Sequence, residues 1–272
     1  MKRLLHLSDL HFGRDRPELL EPLVQKINAL APDVVAISGD LTQRARAAQF
    51  RQARGLIDRI ACPVLVVPGN HDTPLDNLIE RIFMPWRRYR KWIDTDLEPQ
   101  IHGPDWSIVG INSVNPLGWQ RGWFDAGDIR AVRDGFSDTP ESALRIVVVH
   151  HPLEHLPGER KKLMRGAEAA IAALAEVGTD IVLSGHLHSW RADVFAAAPT
   201  EPRVLQVHAG TVLSDRLRGQ ENDFNLLTLD QGRVEVTRFV SRDAADFKPE
   251  DSARFERFEA GWRALRRADP SS

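Results

Sequence analysis

The sequence has 272 residues, of which 42% are hydrophobic and 27% are charged. This length supports one large domain or two small ones with a sizeable core, and the composition is that of an ordinary soluble globular chain. The formal net charge of −2 gives no global attraction to nucleic acid or to an anionic membrane.

The cysteine content and the N-terminus bear on the compartment. Cys62 is the single cysteine, which excludes an internal disulfide and is consistent with a reducing compartment. The N-terminal residues are too few and too polar for a signal peptide, and no stretch approaches the roughly 18 apolar residues of a membrane span. We therefore expect a cytoplasmic protein without a membrane span.

Short apolar runs alternate with amphipathic stretches in the first 70 residues. The pattern predicts strands over 3–8, 33–38 and 64–67, and helices over 18–30 and 45–59. A strand–helix–strand rhythm of this kind predicts a mainly parallel sheet. In such sheets the binding site lies at the carboxyl ends of the strands.

A polar motif follows each of these three strands. The motifs are Asp9-Leu10-His11-Phe12-Gly13, Gly39-Asp40 and Pro68-Gly69-Asn70-His71-Asp72. If Asp9 and His11 stay extended, their side chains point to the same face and can share one metal ion. Taken singly, each motif fits an ordinary polar turn equally well, since Asn and Asp are common turn residues.

Residues 73–104 break the alternation, and we expect residues 73–127 to shape a pocket beside the site. Short helices are predicted there, including the basic aromatic segment 84–92. This segment has two interpretations of similar weight. It is either a wall that attracts an anionic substrate or a solvated face anchored by its aromatic side chains.

The second half of the chain repeats the pattern of strands that end in polar residues. Strands are predicted over 106–111, 145–149 and 180–183, and helices over 126–133 and 166–176. The second of these strands ends in His150-His151-Pro152 and the third in Ser184-Gly185-His186-Leu187-His188. The spacing of His186 and His188 equals that of Asp9 and His11. His151 either supports a ligand indirectly or packs under the proline.

The remaining pattern predicts a second sheet followed by a helical tail. Strands are expected over 193–197, 203–207, 224–229 and 234–239, with a hairpin-like turn before the last one. Residues 250–267 carry an apolar stripe at helical spacing, formed by Phe255, Phe258, Trp262 and Leu265. We therefore divide the chain into a domain over 1–240 and a C-terminal helical tail over 241–272.

Five strand ends together supply side chains with nitrogen or oxygen donors and no thiolate. Such a set suits Mn, Fe, Zn, Co or Ni, and seven donors are too many for one tetrahedral zinc ion. Two ions that share one carboxylate account for the number. The candidate metal ligands are Asp9, His11, Asp40, Asn70, His150, His186 and His188.

The five motifs, in this order, resemble the calcineurin-like metallophosphoesterase family over roughly residues 1–240. The resemblance implies an α/β fold with a two-sheet β-sandwich flanked by helices in four layers. It also implies one metal ion on Asp9, His11, Asp40 and His188, and a second on Asp40, Asn70, His150 and His186, with Asp40 bridging. His71 would be the catalytic histidine that is not a ligand, and Asp72 would orient it.

Within that family the chain is similar to the bacterial class III cyclic-nucleotide phosphodiesterases. The implied activity is hydrolysis of cyclic nucleotides or similar small phosphodiesters by in-line attack of a metal-bridging hydroxide, with two divalent ions, Mn, Fe or Zn, as cofactors. The alternatives are a nuclease or phosphomonoesterase of the same superfamily and a non-catalytic scaffold of the same fold. The near-neutral charge argues against a nucleic-acid partner. The oligomeric state stays open, with a homodimer among the alternatives.

Overall fold

The computed structural model describes residues 1–118, 120–154, 162–195, 204–230, 232–244, 246–259 and 261–265. Parts of four predicted elements lie outside this range. They are residues 196, 197 and 203 of two predicted strands, residue 231 of the predicted turn, and residues 245, 260 and 266–272 of the tail.

The first half of the chain alternates strands and helices as its sequence pattern predicts. Short 3₁₀ turns over Pro17–Leu19 and Asn70–Asp72 accompany these elements. The elements are β1 (Lys2–Leu7), α1 (Leu20–Leu30), β2 (Val34–Ile37), α2 (Ala47–Ile57), β3 (Val64–Val66), α3 (Leu78–Phe83), α4 (Arg87–Trp92), β4 (Gln100–His102) and β5 (Trp106–Ile111).

The second half begins with further alternation and ends in antiparallel strands. Its elements are α5 (Ala126–Gly135), β6 (Leu144–Val149), α6 (Ala167–Glu176), β7 (Ile181–Ser184), β8 (Arg191–Phe195), β9 (Val204–His208), β10 (Asn222–Asp230), β11 (Arg233–Ser241), β12 (Lys248–Phe258) and β13 (Gly261–Leu265).

Two mixed sheets organise these strands. One sheet has the order β13-β12-β11-β10-β1-β2-β3, with β1, β2 and β3 parallel to one another. The other has the order β4-β5-β6-β7-β9-β8, with β5, β6, β7 and β9 parallel. The strands that precede the sequence motifs are therefore the parallel strands of both sheets, and their carboxyl ends lie together.

Three apolar cores separate the layers. The central core takes residues such as Leu4 and Ala36 from the first sheet and Ile146 and Leu183 from the second, so the two sheets pack face to face. Helices α1, α2 and α4 pack on the outer face of the first sheet, and α5 and α6 pack on the outer face of the second. This is the four-layer α/β sandwich that the resemblance implied, and the predicted fold class is confirmed.

The predicted C-terminal helix is wrong, because β12 and β13 form a hairpin that extends the first sheet beside β11. The spacing of the apolar residues fits a helix, but their side chains lie on two faces of the hairpin. Phe255 and Trp262 are buried in the central core, whereas Leu265 is 37% exposed. The division of the chain at residue 240 stays a prediction.

Segment 84–92 follows α3 and contains α4, and contacts with the rest of the domain anchor it. Tyr89 is fully buried and its hydroxyl donates to the Val66 carbonyl at 3.0 Å. Arg88 pairs with Asp76 at 3.0 Å and with Glu80 at 2.6 Å. These contacts support the interpretation of a face held by its aromatic side chains.

Candidate metal centre

The structure brings together all seven candidate ligands where the two sheets meet. Asp9 and His11 follow β1, Asp40 follows β2, and Asn70 lies in the 3₁₀ turn after β3. The remaining three follow strands of the other sheet, His150 after β6, and His186 and His188 after β7. Each of the seven is at most 8% exposed.

The backbone is strained at five of these seven positions. The φ angles are 53° at Asp9, 50° at His11, 52° at Asp40, 71° at His186 and 55° at His188. Left-handed geometry is uncommon for residues other than glycine, and such strain concentrates at functional sites. Asp9 and His11 therefore reach the site through left-handed turns, so the extended backbone on which their shared face was conditional is not present.

Hydrogen bonds between loops hold this strained backbone in place. The Asp9 and His11 N–H groups donate to the Gly39 carbonyl at 3.1 Å and the Asp40 carbonyl at 2.9 Å. Gly69 lies so close to this loop that a Cβ there would overlap the backbone nitrogen and Oδ1 of Asp40. Only glycine allows the two loops to approach this closely, which explains its place in the motif.

One cluster consists of Asp9, His11 and His188. The Nε2 atoms of the two histidines are 3.0 Å apart. Oδ1 of Asp9 lies 3.4 Å from His11 Nε2 and 3.2 Å from His188 Nε2. The other carboxylate oxygen of Asp9 is held by the Ser8 hydroxyl at 2.6 Å and by the His186 N–H at 2.9 Å.

A second cluster consists of His150, Asn70 and His186. Nε2 of His150 lies 3.2 Å from Asn70 Oδ1 and 3.3 Å from His186 Nδ1. The adjacent His151 also approaches, with its ring centroid 4.7 Å from that of His186, and its Nδ1 lies 2.8 Å from the Ser113 hydroxyl. His150, His151 and His186 together form a group that can hold a metal ion.

Asp40 lies between the two clusters. Its Oδ2 is 3.7 Å from His11 Nε2 and 3.5 Å from His150 Nε2. Its Oδ1 accepts a hydrogen bond from the His71 backbone N–H at 2.8 Å. One carboxylate oxygen of Asp40 thus faces both sides of the site.

The hydrogen bonds of the histidines show that both clusters fit cations. Nδ1 of His150 donates to the Ser38 carbonyl at 2.7 Å, and Nδ1 of His188 donates to the Arg216 carbonyl at 3.0 Å. In the neutral rings Nε2 then carries a lone pair, which faces carboxylate or amide oxygens in each cluster. Opposed lone pairs of this kind are stabilised by a metal ion between them, and the carbonyl partners fix the ring orientation that a ligand needs.

The charges of the buried groups also favour a cation in the site. Burial disfavours a charged imidazole, but the Asp40 carboxylate raises the pKa of His150 to about 9. Burial also disfavours ionised carboxylates, yet neighbouring imidazoles hold the pKa values of Asp9 and Asp40 well below their usual range. The carboxylates therefore stay ionised and favour positive charge at the positions where the nitrogens converge.

His71 lies beside the first cluster, with its ring edge-on to that of His11 at a centroid distance of 5.0 Å. Its Nδ1 donates to the Gln43 carbonyl at 2.9 Å, so Nε2 is the ring nitrogen left for a substrate. Burial lowers the pKa of His71, and the nearby Asp40 charge opposes that effect. Burial therefore favours the neutral ring, and the Asp40 carboxylate favours the protonated one.

The hydrogen bonds of the Asp72 carboxylate go to neighbouring main-chain groups and to Thr42, and its predicted role of orienting His71 stays a prediction. This carboxylate accepts hydrogen bonds from the backbone N–H groups of Gly69, Leu41 and Thr42 at 2.9, 3.2 and 2.9 Å, and from the Thr42 hydroxyl at 3.0 Å. Asp72 thus ties the turn after β3 to the loop after β2. The His71 ring itself bonds to the Gln43 carbonyl.

Sequence reasoning missed the three residues whose main-chain carbonyls orient site histidines, Ser38, Gln43 and Arg216. Ser38 was predicted only as the last residue of a strand. Gln43 follows Asp40 by three residues, so its place in the same loop was the available signal. Arg216 lies in a loop 28 residues beyond His188, and no sequence spacing links the two.

Comparison of the whole fold with solved structures identifies its class. A dimetal phosphatase from Danio rerio matches with a TM-score of 0.65 at 11% identity, over 91% of this chain and 98% of that one. A purple acid phosphatase from yellow lupin matches with a TM-score of 0.64 at 15% identity, over 93% of this chain and 53% of that one. The architecture is therefore that of the metallophosphoesterase fold.

Comparison of the sequence gives the family. The model of the calcineurin-like phosphoesterases matches residues 2–190, which is most of the chain. This chain therefore belongs to the calcineurin-like phosphoesterase family and is a hydrolase that acts on phosphoesters.

Curated relatives are similar at low identity. A probable cyclic nucleotide phosphodiesterase from Synechococcus is 26% identical, over 68% of this chain and 72% of its own. A cAMP/cGMP dual specificity phosphodiesterase from Mycobacterium tuberculosis is 29% identical, over 72% of this chain and 64% of its own. A glycerophosphodiester phosphodiesterase from Enterobacter lignolyticus is 25% identical, over 55% of this chain and 57% of its own.

Proposed function

We propose that this protein is a dinuclear-metal phosphodiesterase that hydrolyses small phosphodiesters, with cyclic nucleotides among the candidate substrates. One observation carries the proposal. Seven buried side chains with nitrogen or oxygen donors converge as two clusters, and Asp40 lies between them within 3.7 Å of His11 and 3.5 Å of His150. Sharing of one carboxylate between two ions is the arrangement that places a metal pair at a distance suited to phosphoryl transfer.

We assign the ligands by cluster. Asp9, His11, Asp40 and His188 would hold one ion, and Asp40, Asn70, His150 and His186 would hold the other. The donor set without thiolates favours Mn, Fe or Zn. When bound, two such ions supply positive charge at the phosphate and lower the pKa of an attacking water toward about 7.

The chain's own groups then act on the phosphate. In the protonated ring of His71, Nδ1 donates to the Gln43 carbonyl. That contact directs Nε2 to stabilise developing charge or to protonate the leaving oxygen. Asp72 positions this turn through its four hydrogen bonds to the neighbouring loops.

The charge of the site supports a diester over a monoester. Two divalent ions carry four positive charges, and Asp9, Asp40 and an attacking hydroxide offset three of them. The single remaining charge matches the one negative charge of a diester, whereas a monoester carries about one more. The relatives described above are named as cyclic nucleotide and glycerophosphodiester phosphodiesterases, which are diester hydrolases.

The partner proposed is thus a small phosphodiester rather than nucleic acid. No helix in the described part of the chain is long and apolar enough to cross a membrane. The cytoplasmic location expected from the sequence stays a prediction.

The test is a substrate screen of the purified protein loaded with Mn. We expect bis-p-nitrophenyl phosphate and 3′,5′-cyclic AMP to be hydrolysed faster than p-nitrophenyl phosphate or plasmid DNA. Removal of the metal with EDTA should abolish the activity, and added Mn should restore it. Faster cleavage of the monoester or of plasmid DNA would favour the corresponding alternative, and no hydrolysis of any phosphoester by protein with two bound ions would favour a scaffold.

A further inference from the structure

A cavity of about 560 Å³ opens directly beside His71 and is strongly cationic. Four arginines line it, namely Arg14, Arg44, Arg46 and Arg216. Among the described residues, no Asp or Glu belongs to its lining. Since the whole chain has a formal net charge of −2, this concentration of positive charge is local to the site.

The charges in this cavity are largely uncompensated. Arg14 pairs with Asp215 at 3.1 Å across the rim. Within the part of the chain that the structure describes, no carboxylate lies in ion-pair distance of Arg44, Arg46 or Arg216. Arginines on ordinary surfaces face a mixture of both signs, so a pocket with guanidinium groups alone is suited to an anion.

The arginines are held in place by the same loops that build the metal centre. The Arg14 N–H donates to the His11 carbonyl at 2.8 Å. The Arg216 carbonyl accepts from Nδ1 of His188. The guanidinium of Arg216 lies 3.4 Å from the Gln43 side-chain oxygen. Two of the four arginines are therefore tied to candidate metal ligands through their own main chain.

The loop that carries the other two arginines is anchored by a buried glutamine. Oε1 of Gln49 accepts from the Arg44 N–H at 3.0 Å and from the Arg46 N–H at 3.3 Å. Gly13 lies against the Gln49 amide, where a Cβ would overlap it, and its φ of 97° also favours glycine. The close approach of the two loops positions the arginines on one cavity wall.

The negative charge of a simple diester is matched without the arginines of this cavity. Its single negative charge is already matched by the metal pair in the charge count given above. The guanidinium groups that line the cavity would be matched by further negative charge on the substrate. Phosphate is the group that suits an arginine cluster best, because its oxygens accept the paired N–H groups of guanidinium.

We propose that this cavity binds a second phosphate group carried by the phosphodiester substrate on its leaving-group side. The inference rests on the proposed phosphodiesterase function and narrows its substrate class. A 5′-phosphorylated dinucleotide is a representative of that class. In its hydrolysis water adds its oxygen to the bridging phosphorus, the P–O3′ bond breaks, and the 3′ oxygen takes a proton, which gives two nucleoside 5′-phosphates.

The kinetic test compares two dinucleotides that differ only in the terminal phosphate, ApA and pApA. The Mn-loaded protein should give a kcat/KM for pApA roughly tenfold to a hundredfold above that for ApA, which is the range for hydrogen bonds between charged groups. In the double variant Arg44→Gln/Arg46→Gln this ratio should fall toward one. Arg90→Gln is the matched control, because Arg90 is an exposed arginine of segment 84–92 that does not line the cavity. Its ratio should equal that of the wild type.

A binding measurement separates this inference from the proposed function. By calorimetry, adenosine 3′,5′-bisphosphate should bind at least tenfold more tightly than adenosine 3′-monophosphate, and Arg44→Gln/Arg46→Gln should remove the difference. Equal affinities for the two nucleotides, or an unchanged preference in the double variant, would overturn the second-phosphate site. Absence of turnover on bis-p-nitrophenyl phosphate, ApA and pApA would overturn the phosphodiesterase instead, and the binding ratio would still decide the cavity. Thermal melts check that the variants are folded.

Discussion

The site has two halves of opposite character that are built on the same loops. In the inner half, the carboxylates and imidazoles of Asp9, His11 and Asp40 are at most 2% exposed and lie within 3.7 Å of one another in neighbouring pairs. In the outer half, Arg44 and Arg46 are exposed and have no carboxylate partner within the described chain. The inner half favours positive charge and the outer half favours negative charge.

This difference separates chemistry from selection of the substrate. Buried side chains on a tightly held backbone can keep a metal ion within about 0.5 Å of the geometry that catalysis requires. Exposed arginines are screened by solvent and can only attract and orient. A change in the inner half should therefore remove activity on every substrate, whereas a change in the outer half should alter the ranking of substrates.

The largest effect is expected at Asp40, because its carboxylate serves both clusters. Asp40→Ala removes the group between His11 and His150 and leaves two ions to repel each other. We expect loss of both ions and a fall in kcat/KM of roughly 10³-fold or more, since metal ions supply several kcal/mol of charge stabilisation. Elemental analysis and kinetics on bis-p-nitrophenyl phosphate measure the two quantities.

Asp9→Ala is the matched variant in the same buried environment. Its Oδ1 faces the imidazoles of His11 and His188, whereas its Oδ2 is held by the Ser8 hydroxyl and the His186 main chain, so this protein should lose mainly one ion and keep the other. If Asp40→Ala retained two ions and near-normal turnover, the shared carboxylate would be elsewhere.

His71→Ala should separate turnover from metal binding. The His71 ring bonds to the Gln43 carbonyl, and although His11, Asp40 and His71 also form a group that can hold a metal ion, the proposed ligand set does not include His71. We expect both ions to remain and kcat to fall by about 10²–10⁴-fold, the usual contribution of general acid–base catalysis. Elemental analysis of the variant beside the wild type is the first measurement. A variant that had lost an ion would move His71 into the ligand set.

The leaving group identifies which task His71 performs. p-Nitrophenolate leaves with little protonation, whereas a nucleoside alkoxide needs a proton. A smaller loss on bis-p-nitrophenyl phosphate than on 3′,5′-cyclic AMP would indicate proton donation. Equal losses on the two substrates would indicate stabilisation of charge on the phosphate.

Asp72→Asn should have a smaller effect, and it should lower both the stability of the fold and kcat. The carboxylate of Asp72 accepts four hydrogen bonds from Gly69, Leu41 and Thr42, and an amide nitrogen in its place would face N–H donors. Buried groups left unsatisfied cost about 1–3 kcal/mol each. Urea unfolding should show a loss of that size, and kcat should fall less than in His71→Ala.

Asp134→Asn on the exposed face of α5 is the control for this substitution and should leave stability within about 0.5 kcal/mol of the wild type. An Asp72→Asn protein with unchanged stability and a kcat as low as that of His71→Ala would assign Asp72 a direct part in the reaction. That result would support the role that the sequence resemblance implied for Asp72.

The inner half of the site was within reach of sequence reasoning, because each candidate ligand directly follows a predicted parallel strand. Strand ends that converge in space are encoded by local patterns, and the motifs keep their order along the chain. The left-handed backbone at Asp9 and His11 was not predictable, since hydrogen bonds from the Gly39 and Asp40 loop impose it. The partner of the His71 ring was missed for a similar reason, as it is a main-chain carbonyl.

The outer half and the C-terminus were beyond local patterns. The arginines of the cavity come from loops that meet only in the folded chain. The sequence pattern instead drew attention to the basic segment 84–92, which forms an anchored face. In the tail, Phe255 and Trp262 fit both helical spacing and one face of a hairpin, and pairing of β12 with β11 decided between them. Long-range pairing of this kind overrides local periodicity.

The last prediction concerns buried histidines near the inner half that lie outside the predicted ligand set. Burial lowers the pKa of His208 to about 3, and the nearby Arg191 charge adds to the effect. His208 bonds to the Ser184 hydroxyl at 2.8 Å and to the Gln206 amide at 2.6 Å as a neutral ring. Burial likewise lowers the pKa of His6 to about 3. These rings contrast with His150, whose pKa Asp40 raises.

The sign of the resulting pH dependence follows from proton binding. Below pH 6.5 an unfolded histidine binds a proton that the folded ring refuses, so the unfolded state binds more protons and acid lowers stability until about pH 3. Each such ring contributes up to about 1.4 kcal/mol per pH unit in this window. His208→Gln should therefore lose less stability than the wild type between pH 6.5 and 5, by about 2 kcal/mol, in urea unfolding with EDTA present. His102→Gln, at an exposed histidine, is the control and should keep the wild-type dependence of the free energy of unfolding on pH. If His208→Gln showed the same dependence as this control, the buried His208 ring would accept its proton in the folded state.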